Sequence, residues 1–231
     1  MLILAIDTAL DACAAAVLDT ETAELRAQES VPMKRGHAEA LMPLIARVMK
    51  SAELSFTVLD RIAVTVGPGS FTGLRVGISA ARGFALAAKR PAIGLTTLSA
   101  YAAAVVGQNR SAPVISAIDA RHDHVYFQIV AGDGSQLVRP RVAGIDEAIA
   151  ASQFGAPHLV GNAANILAER WPKDAPQPVA VDAQAAPDIG WVAWLGAAAN
   201  PDTTPARPFY LRAPDAKPAA QPQLAAKAAI S

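Results

Sequence analysis

One string narrows the folds open to this chain more than any other: Val66-Gly67-Pro68-Gly69-Ser70-Phe71-Thr72-Gly73-Leu74-Arg75-Val76-Gly77. The apolar run Ile62-Ala63-Val64-Thr65-Val66 leads into it as a strand, and a helical run from Leu74 to Lys89 leads out. A strand that enters a glycine-rich loop and leaves as a helix aims free backbone N–H groups at one point, which suits an anion. The same spacing serves a plain tight turn, with Ser70 or Thr72 as the helix N-cap. Spacing alone favours the turn. The loop is not a P-loop, since no Gly-Lys-Ser/Thr ends it, and it is not a dinucleotide fingerprint.

The helices on either side of this strand are unusually apolar. From His37 to Ser51, Leu41, Leu44, Ile45 and Val48 share one face, and Met42 and Met49 widen it. After the loop, Gly73, Gly77, Ala81 and Ala85 recur every four residues, flanked by Val76 and Phe84. Arg75, Arg82 and Lys89 recur every seven residues on the opposite side. So wide an apolar arc exceeds what one sheet face accepts, which points to a helix–helix contact with another protein. An alanine-rich helix packed in its own core explains the pattern equally well. Composition leans toward a partner. Hydrophobic residues make up 52% of the chain and charged residues 17%, against about 25% charged in ordinary globular proteins.

Balanced charge argues against a dedicated nucleic-acid binder: the formal net charge is zero. RNA contact through a complex stays open. The single cysteine, Cys13, excludes an intramolecular disulfide framework and fits a reducing cytosol. Asp7 and Asp11 interrupt the apolar opening, and no basic residues precede it, so it does not read as a signal peptide. No uncharged apolar run reaches the ~20 residues that span a bilayer. The expectation is a soluble cytoplasmic protein with no membrane contact.

Along the chain, strands at 2–6, 12–19 and 23–31 form an antiparallel meander, followed by helix, strand, helix, strand 91–95 and helix 97–106. A polar break, Gly107-Gln108-Asn109-Arg110-Ser111, marks a boundary. The pattern then restarts with strands at 113–119, 124–131 and 136–142. Helices at 146–152 and 162–171 bracket strand 158–160, and a last helix covers 189–199. This weak repeat predicts two lobes of like topology, 1–107 and 108–212, with the last helix packing back on the first lobe. Residues 213–231, mostly Ala, Pro, Gln and Lys, have little to bury and are expected to be disordered.

Several strings together resemble one family. They are Ile3-Leu4-Ala5-Ile6-Asp7-Thr8, Arg35-Gly36-His37-Ala38-Glu39-Ala40-Leu41-Met42-Pro43, the loop string from Gly67 to Gly77, Ala117-Ile118-Asp119-Ala120-Arg121 with Val125-Tyr126, and Pro208-Phe209-Tyr210-Leu211-Arg212. In this order, from residue 2 to about 212, they resemble the TsaB (YeaZ) family of bacterial tRNA threonylcarbamoyladenosine synthesis. The resemblance implies an α/β fold of the actin, Hsp70 and sugar-kinase type. Each of its two lobes is a mixed sheet with helices, degenerate here at the nucleotide site. It also implies a partner, the paralogue TsaD, which carries the active site. TsaD transfers a threonylcarbamoyl group from threonylcarbamoyl-adenylate to the adenosine just 3′ of the anticodon. TsaE, an ATPase, joins the pair. Docking is expected through the first two helices, at His37, Leu41, Leu44, Ile45, Val48, Gly73, Gly77, Ala81 and Phe84. The resemblance further implies tRNA contact only through the complex. In isolation, burial of the same patch predicts a homodimer.

The residues themselves favour a pseudo-enzyme, with no catalytic and no metal-ligating residue. A TsaD-like metal site needs two histidines four apart on one helix face, and His37 is followed at that spacing by Leu41. Phosphate clamps of this fold need glycine for close backbone approach. Asp7, Thr8, Asp119 and Gly161 mark a vestigial pocket. Ala9 stands where a glycine belongs, Asp119-Ala120-Arg121-His122 replaces a Gly-Gly pair, and Gly161-Asn162 keeps one glycine of two. No tightly bound cofactor is expected, and weak ATP or ADP binding in the complex stays open. His122 and His124, two apart, read as surface residues without a third ligand. Ser70 lacks a Gly-x-Ser-x-Gly elbow. The rival readings are an independent ATPase or kinase of the same fold, and a metallopeptidase.

Overall fold

A computed structural model describes residues 1–212; the expected disordered tail lies outside the described residues. The first sheet contains β1 (Leu2–Asp7), β2 (Ala12–Asp19), β3 (Glu24–Pro32), β4 (Arg61–Gly67) and β5 (Ala92–Thr96), in the order β3-β2-β1-β4-β5. β1, β2 and β3 form the antiparallel meander, while β4 pairs parallel with β1 and β5 parallel with β4. The second sheet contains β6 (Val114–Asp119), β7 (His124–Val130), β8 (Gln136–Gly144), β9 (His158–Val160) and β10 (Ala180–Asp182). Its order from the β8 edge is β8-β7-β6-β9-β10, with the same strand directions as the first. The weak sequence repeat is therefore one topology used twice. Sequence reasoning missed β10, whose three residues are too few to show a period-two alternation.

Helices α1 (His37–Ser51) and α2 (Phe71–Ala88) cover one face of the first sheet. Leu41, Leu44, Ile45, Val48, Leu74 and Ile78 pack there with Leu4, Ile6 and Val17. Helix α3 (Thr97–Ala103) continues this core toward the second sheet, where Tyr101 joins Val114, Ile118, Val130 and Val160. The short helices α4 (Ile145–Ile149) and α5 (Ala164–Glu169) cover the second sheet. Helix α6 (Ile189–Ala198) returns to the opposite face of the first sheet, with Ile189, Val192 and Ala193 against Ile3, Ala5, Ala16 and Ala63. With helices on both faces, β1, β2 and β4 are almost wholly buried, which explains why their sequences show no alternation. Arg61 pins α6 in place. Its Nη1 donates to the carbonyls of Gly196 (3.1 Å), Ala197 (3.0 Å) and Ala199 (2.8 Å), where helix carbonyls otherwise lack partners. No helix among the described residues is long and apolar enough to cross a membrane.

The fold corrects one expectation residue by residue. The sequence reading places His37, Leu41, Leu44, Ile45, Val48, Gly73, Gly77, Ala81 and Phe84 at a partner interface. All but Phe84 are buried inside this chain, and Phe84 is half-buried with its ring stacked 4.8 Å from Phe56. The physical reason is that α1 and α2 bury their arcs on the sheet, on each other and on the turn bearing Phe56. The backbone admitted by the small-residue row of α2 is the chain's own.

Candidate functional site

Asp7 and Asp119 each end the first strand of a sheet, and each makes the same turn. Asp7 Oδ1 accepts from the Ala9 N–H at 3.0 Å, and Asp119 Oδ1 accepts from the Arg121 N–H at 2.7 Å. Gly67 and Gly161 match in the same way, Gly67 ending β4 and Gly161 following β9, with φ of +114° and +109°. Only glycine holds such a backbone at low cost. Between the two aspartate turns lies a cleft of about 640 Å³. Asp11, Ser70 and Phe71 line it on one side, and Asp119, Arg121 and Asn162 on the other, with Tyr210 and Arg212 contributed by the last described segment.

Two donors of the glycine-rich loop turn onto its own chain. Ser70 N–H donates to the Ala9 carbonyl at 2.7 Å, and Ser70 Oγ caps the Gly73 N–H at 3.3 Å. That cap starts α2 at Phe71, three residues before the helical run read from sequence. Thr8 Oγ1 donates to the Gly73 carbonyl at 2.7 Å. A Cβ on Gly69 would overlap the Ala9 carbonyl oxygen, one on Gly73 the Thr8 carbonyl oxygen, and one on Gly77 the Thr8 hydroxyl. These glycines let the β1–β2 turn lie directly on the start of α2. The tight-turn reading of the loop is the one its geometry matches.

Asp7 is fully buried beneath this contact and does not line the cleft. Its Oδ1 also accepts from the Thr65 hydroxyl, and its Oδ2 has no hydrogen-bond partner among the described residues. Burial pushes its pKa above the ordinary 3.8. Between 3.8 and the raised value, the folded chain holds more protons than the unfolded one. Stability therefore falls as pH rises through that window. Asp7→Asn keeps an acceptor for Thr65 and Ala9, and it should flatten this stretch of the Tm–pH curve. An unchanged slope in the variant would assign the effect to another group.

Opposite, Arg121, His122 and Asp123 all adopt left-handed φ, at +62°, +52° and +55°. The turn thus keeps a glycine-like backbone with bulky residues on it, at a cost of roughly 1–2 kcal/mol each. His124 Nδ1 lies 2.6 Å from the His122 carbonyl oxygen. His37 Nε2 lies 3.1 Å from the Leu10 carbonyl oxygen, tying the start of α1 to the β1–β2 turn. Among the described residues no three His, Cys, Asp or Glu side chains form a cluster that could hold a metal ion. Of the vestigial-pocket residues, Asp119 lines the cleft, Asp7 and Thr8 are buried, and Gly161 lies beside the cleft residue Asn162. Sequence reasoning gave Phe71 and Tyr210 no place in the cleft. Tyr210 reaches it because the Phe209 N–H bonds the Val66 carbonyl at 2.8 Å, a link between residues far apart in sequence.

Two lobes of one topology, closing on a cleft between matched aspartate turns, define the actin-like ATPase and sugar-kinase class. A ROK hexokinase from Thermus thermophilus shares this fold with a TM-score of 0.51 at 16% identity, over 86% of this chain and 99% of that one. The family described as TsaD, tRNA N6-adenosine threonylcarbamoyltransferase, matches residues 30–181. A Pseudomonas aeruginosa crystal structure, of an uncharacterized protein with similarity to peptidase YEAZ, superposes with a TM-score of 0.76 at 26% identity, covering 91% of this chain and 99% of that one. The Escherichia coli tRNA threonylcarbamoyladenosine biosynthesis protein TsaB is 39% identical over 127 residues, 55% of this chain and 54% of that protein. An uncharacterized Mycobacterium tuberculosis protein is 32% identical over 94% of this chain and 95% of its own length. The match to the E. coli and Haemophilus influenzae TsaB proteins spans about half of their length, 54% and 55%. The chain belongs to the TsaB (YeaZ) family, on the TsaD-type fold.

Proposed function

We propose that this chain is a non-catalytic, cytoplasmic subunit for making threonylcarbamoyladenosine next to the tRNA anticodon. It docks on the catalytic paralogue TsaD, with TsaE as a further partner, and meets tRNA through that complex. The observation that carries the reading is the state of the cleft. The backbone N–H groups of Ala9, Ser70 and Arg121, at the turns where this fold clamps phosphate, are bonded within the chain. The close approach that Gly69, Gly73 and Gly77 would offer a phosphate or another backbone is taken up by Thr8 and Ala9. These residues do not fit a tightly held triphosphate, so the chain serves by shape and contact.

With the inner faces of α1 and α2 buried, docking falls to their outer faces. Leu86 is 82% exposed and Met42 53% exposed, and the exposed Gly83 leaves open space beside Leu86. An exposed leucine of this extent on a helix without acidic residues suits an apolar partner helix. In isolation the same surface pairs with a second copy. Met42→Glu with Leu86→Glu should abolish co-elution with TsaD on a sizing column, a loss of at least about tenfold in affinity, because each change brings a carboxylate into an apolar contact and costs its desolvation. Exposed positions tolerate this change, so Tm should hold. Undiminished co-elution of the folded variant would remove these faces from the interface.

A further inference from the structure

At the mouth of the cleft three side chains form a stack. The Arg75 guanidinium carbon lies 3.7 Å from the Phe71 ring centroid, and the Tyr210 ring packs on Phe71 at 5.5 Å with a 30° tilt. Phe71 and Tyr210 remain 41% and 43% exposed, and both line the cleft. The stack is pinned at both ends. Phe71 opens α2 immediately after the Ser70 cap. Tyr210 ends a strap tied to the first sheet, with the Gly94 N–H on the Thr204 carbonyl and the Phe209 N–H on the Val66 carbonyl, both 2.8 Å. Across the mouth, the Asp119 turn presents the exposed Arg121. A rigid aromatic platform beside cations is the arrangement that binds unpaired nucleobases.

We propose that the cleft mouth holds one unpaired base of an RNA strand, stacked on Tyr210, with an adjoining phosphate on Arg121. This rests on the reading of the chain as a subunit that works beside tRNA. Charge placement separates an RNA base from a free nucleotide. Asp11 and Asp119 line the cleft together with Arg121 and Arg212, and the N–H groups of Ala9, Ser70 and Arg121 are spent on the chain itself, so a triphosphate entering it meets two carboxylates and loses those three donors. A phosphodiester carries one charge per nucleotide and stays at the rim, where the guanidinium stands.

The test is a fluorescence titration of the full chain with a short single-stranded RNA carrying one central 2-aminopurine. Stacking should quench the probe. Tyr210→Ala should weaken binding by at least about fivefold, while Tyr210→Phe should bind as the parent does. Excess ATP should leave the RNA bound. An unquenched probe, a Tyr210→Ala variant that binds like the parent, or displacement by ATP as effective as by unlabelled RNA would each overturn the assignment. Co-elution with TsaD is scored on the same variants. If Tyr210→Ala loses RNA but keeps TsaD, the base site stands apart from docking. If the parent binds TsaD but not RNA, the base site fails and the docking reading survives.

Discussion

Gly73→Ala is expected to destabilise the chain by about 3 kcal/mol or more, the upper end of overpacking costs. The added methyl would stand on the Thr8 carbonyl oxygen, and backbone cannot swing aside as a long side chain does. Relief requires separating the β1–β2 turn from α2. That breaks the Thr8 Oγ1 bond to the Gly73 carbonyl and the Ser70 N–H bond to the Ala9 carbonyl. It also uncovers the buried Asp7 carboxyl, whose Oδ2 has no hydrogen-bond partner among the described residues. For a chain of this size the loss corresponds to a fall in Tm of roughly 6–12 °C, at about 2–4 °C per kcal/mol. Gly83→Ala, on the same helix with open space around it, is the control. It should gain up to about 1 kcal/mol, because alanine outranks glycine inside a helix. Thermal unfolding of the two variants together separates steric exclusion from helix propensity. Equal Tm values would deny the close contact at residues 8 and 73.

The sequence carried the first lobe well because its signals are local. The meander has short polar turns, α1 has an apolar face at helical spacing, and the loop string spells a turn and a cap. The duplicated topology was visible as a restart of strands after the polar break at 107–111. The direction in which α1 and α2 face was not legible. Gly77 and Ala81 look identical in sequence whether they admit a partner's backbone or the Thr8 hydroxyl and the strands beneath. That choice depends on α6 returning to the far side of the sheet, on Phe56 stacking under Phe84, and on the two helices lying side by side. Each of these contacts joins residues distant along the chain.

The cleft was legible by its losses more than by its contents. Ala9 and the Arg121-His122 pair stood out against glycine, and the structure adds that residues 121–123 still hold left-handed backbone. Asp119 lines the cleft. Phe71, Arg75 and Tyr210 meet only because the strap at 204–210 lies against β4 and β5, and no local pattern announces a strap.

The measurement that bears most directly on the account is formation of threonylcarbamoyladenosine on tRNA supplied with threonylcarbamoyl-adenylate. It compares this chain alone, TsaD with TsaE, and all three together. Since the Ala9 and Arg121 N–H groups at this chain's two aspartate turns are bonded to the chain itself, the chain alone should give no product. TsaD with TsaE should give little, and the full set should restore turnover by orders of magnitude. The Met42→Glu, Leu86→Glu variant should fall back to the level without the chain. Sustained product from this chain with no partner present would contradict the account.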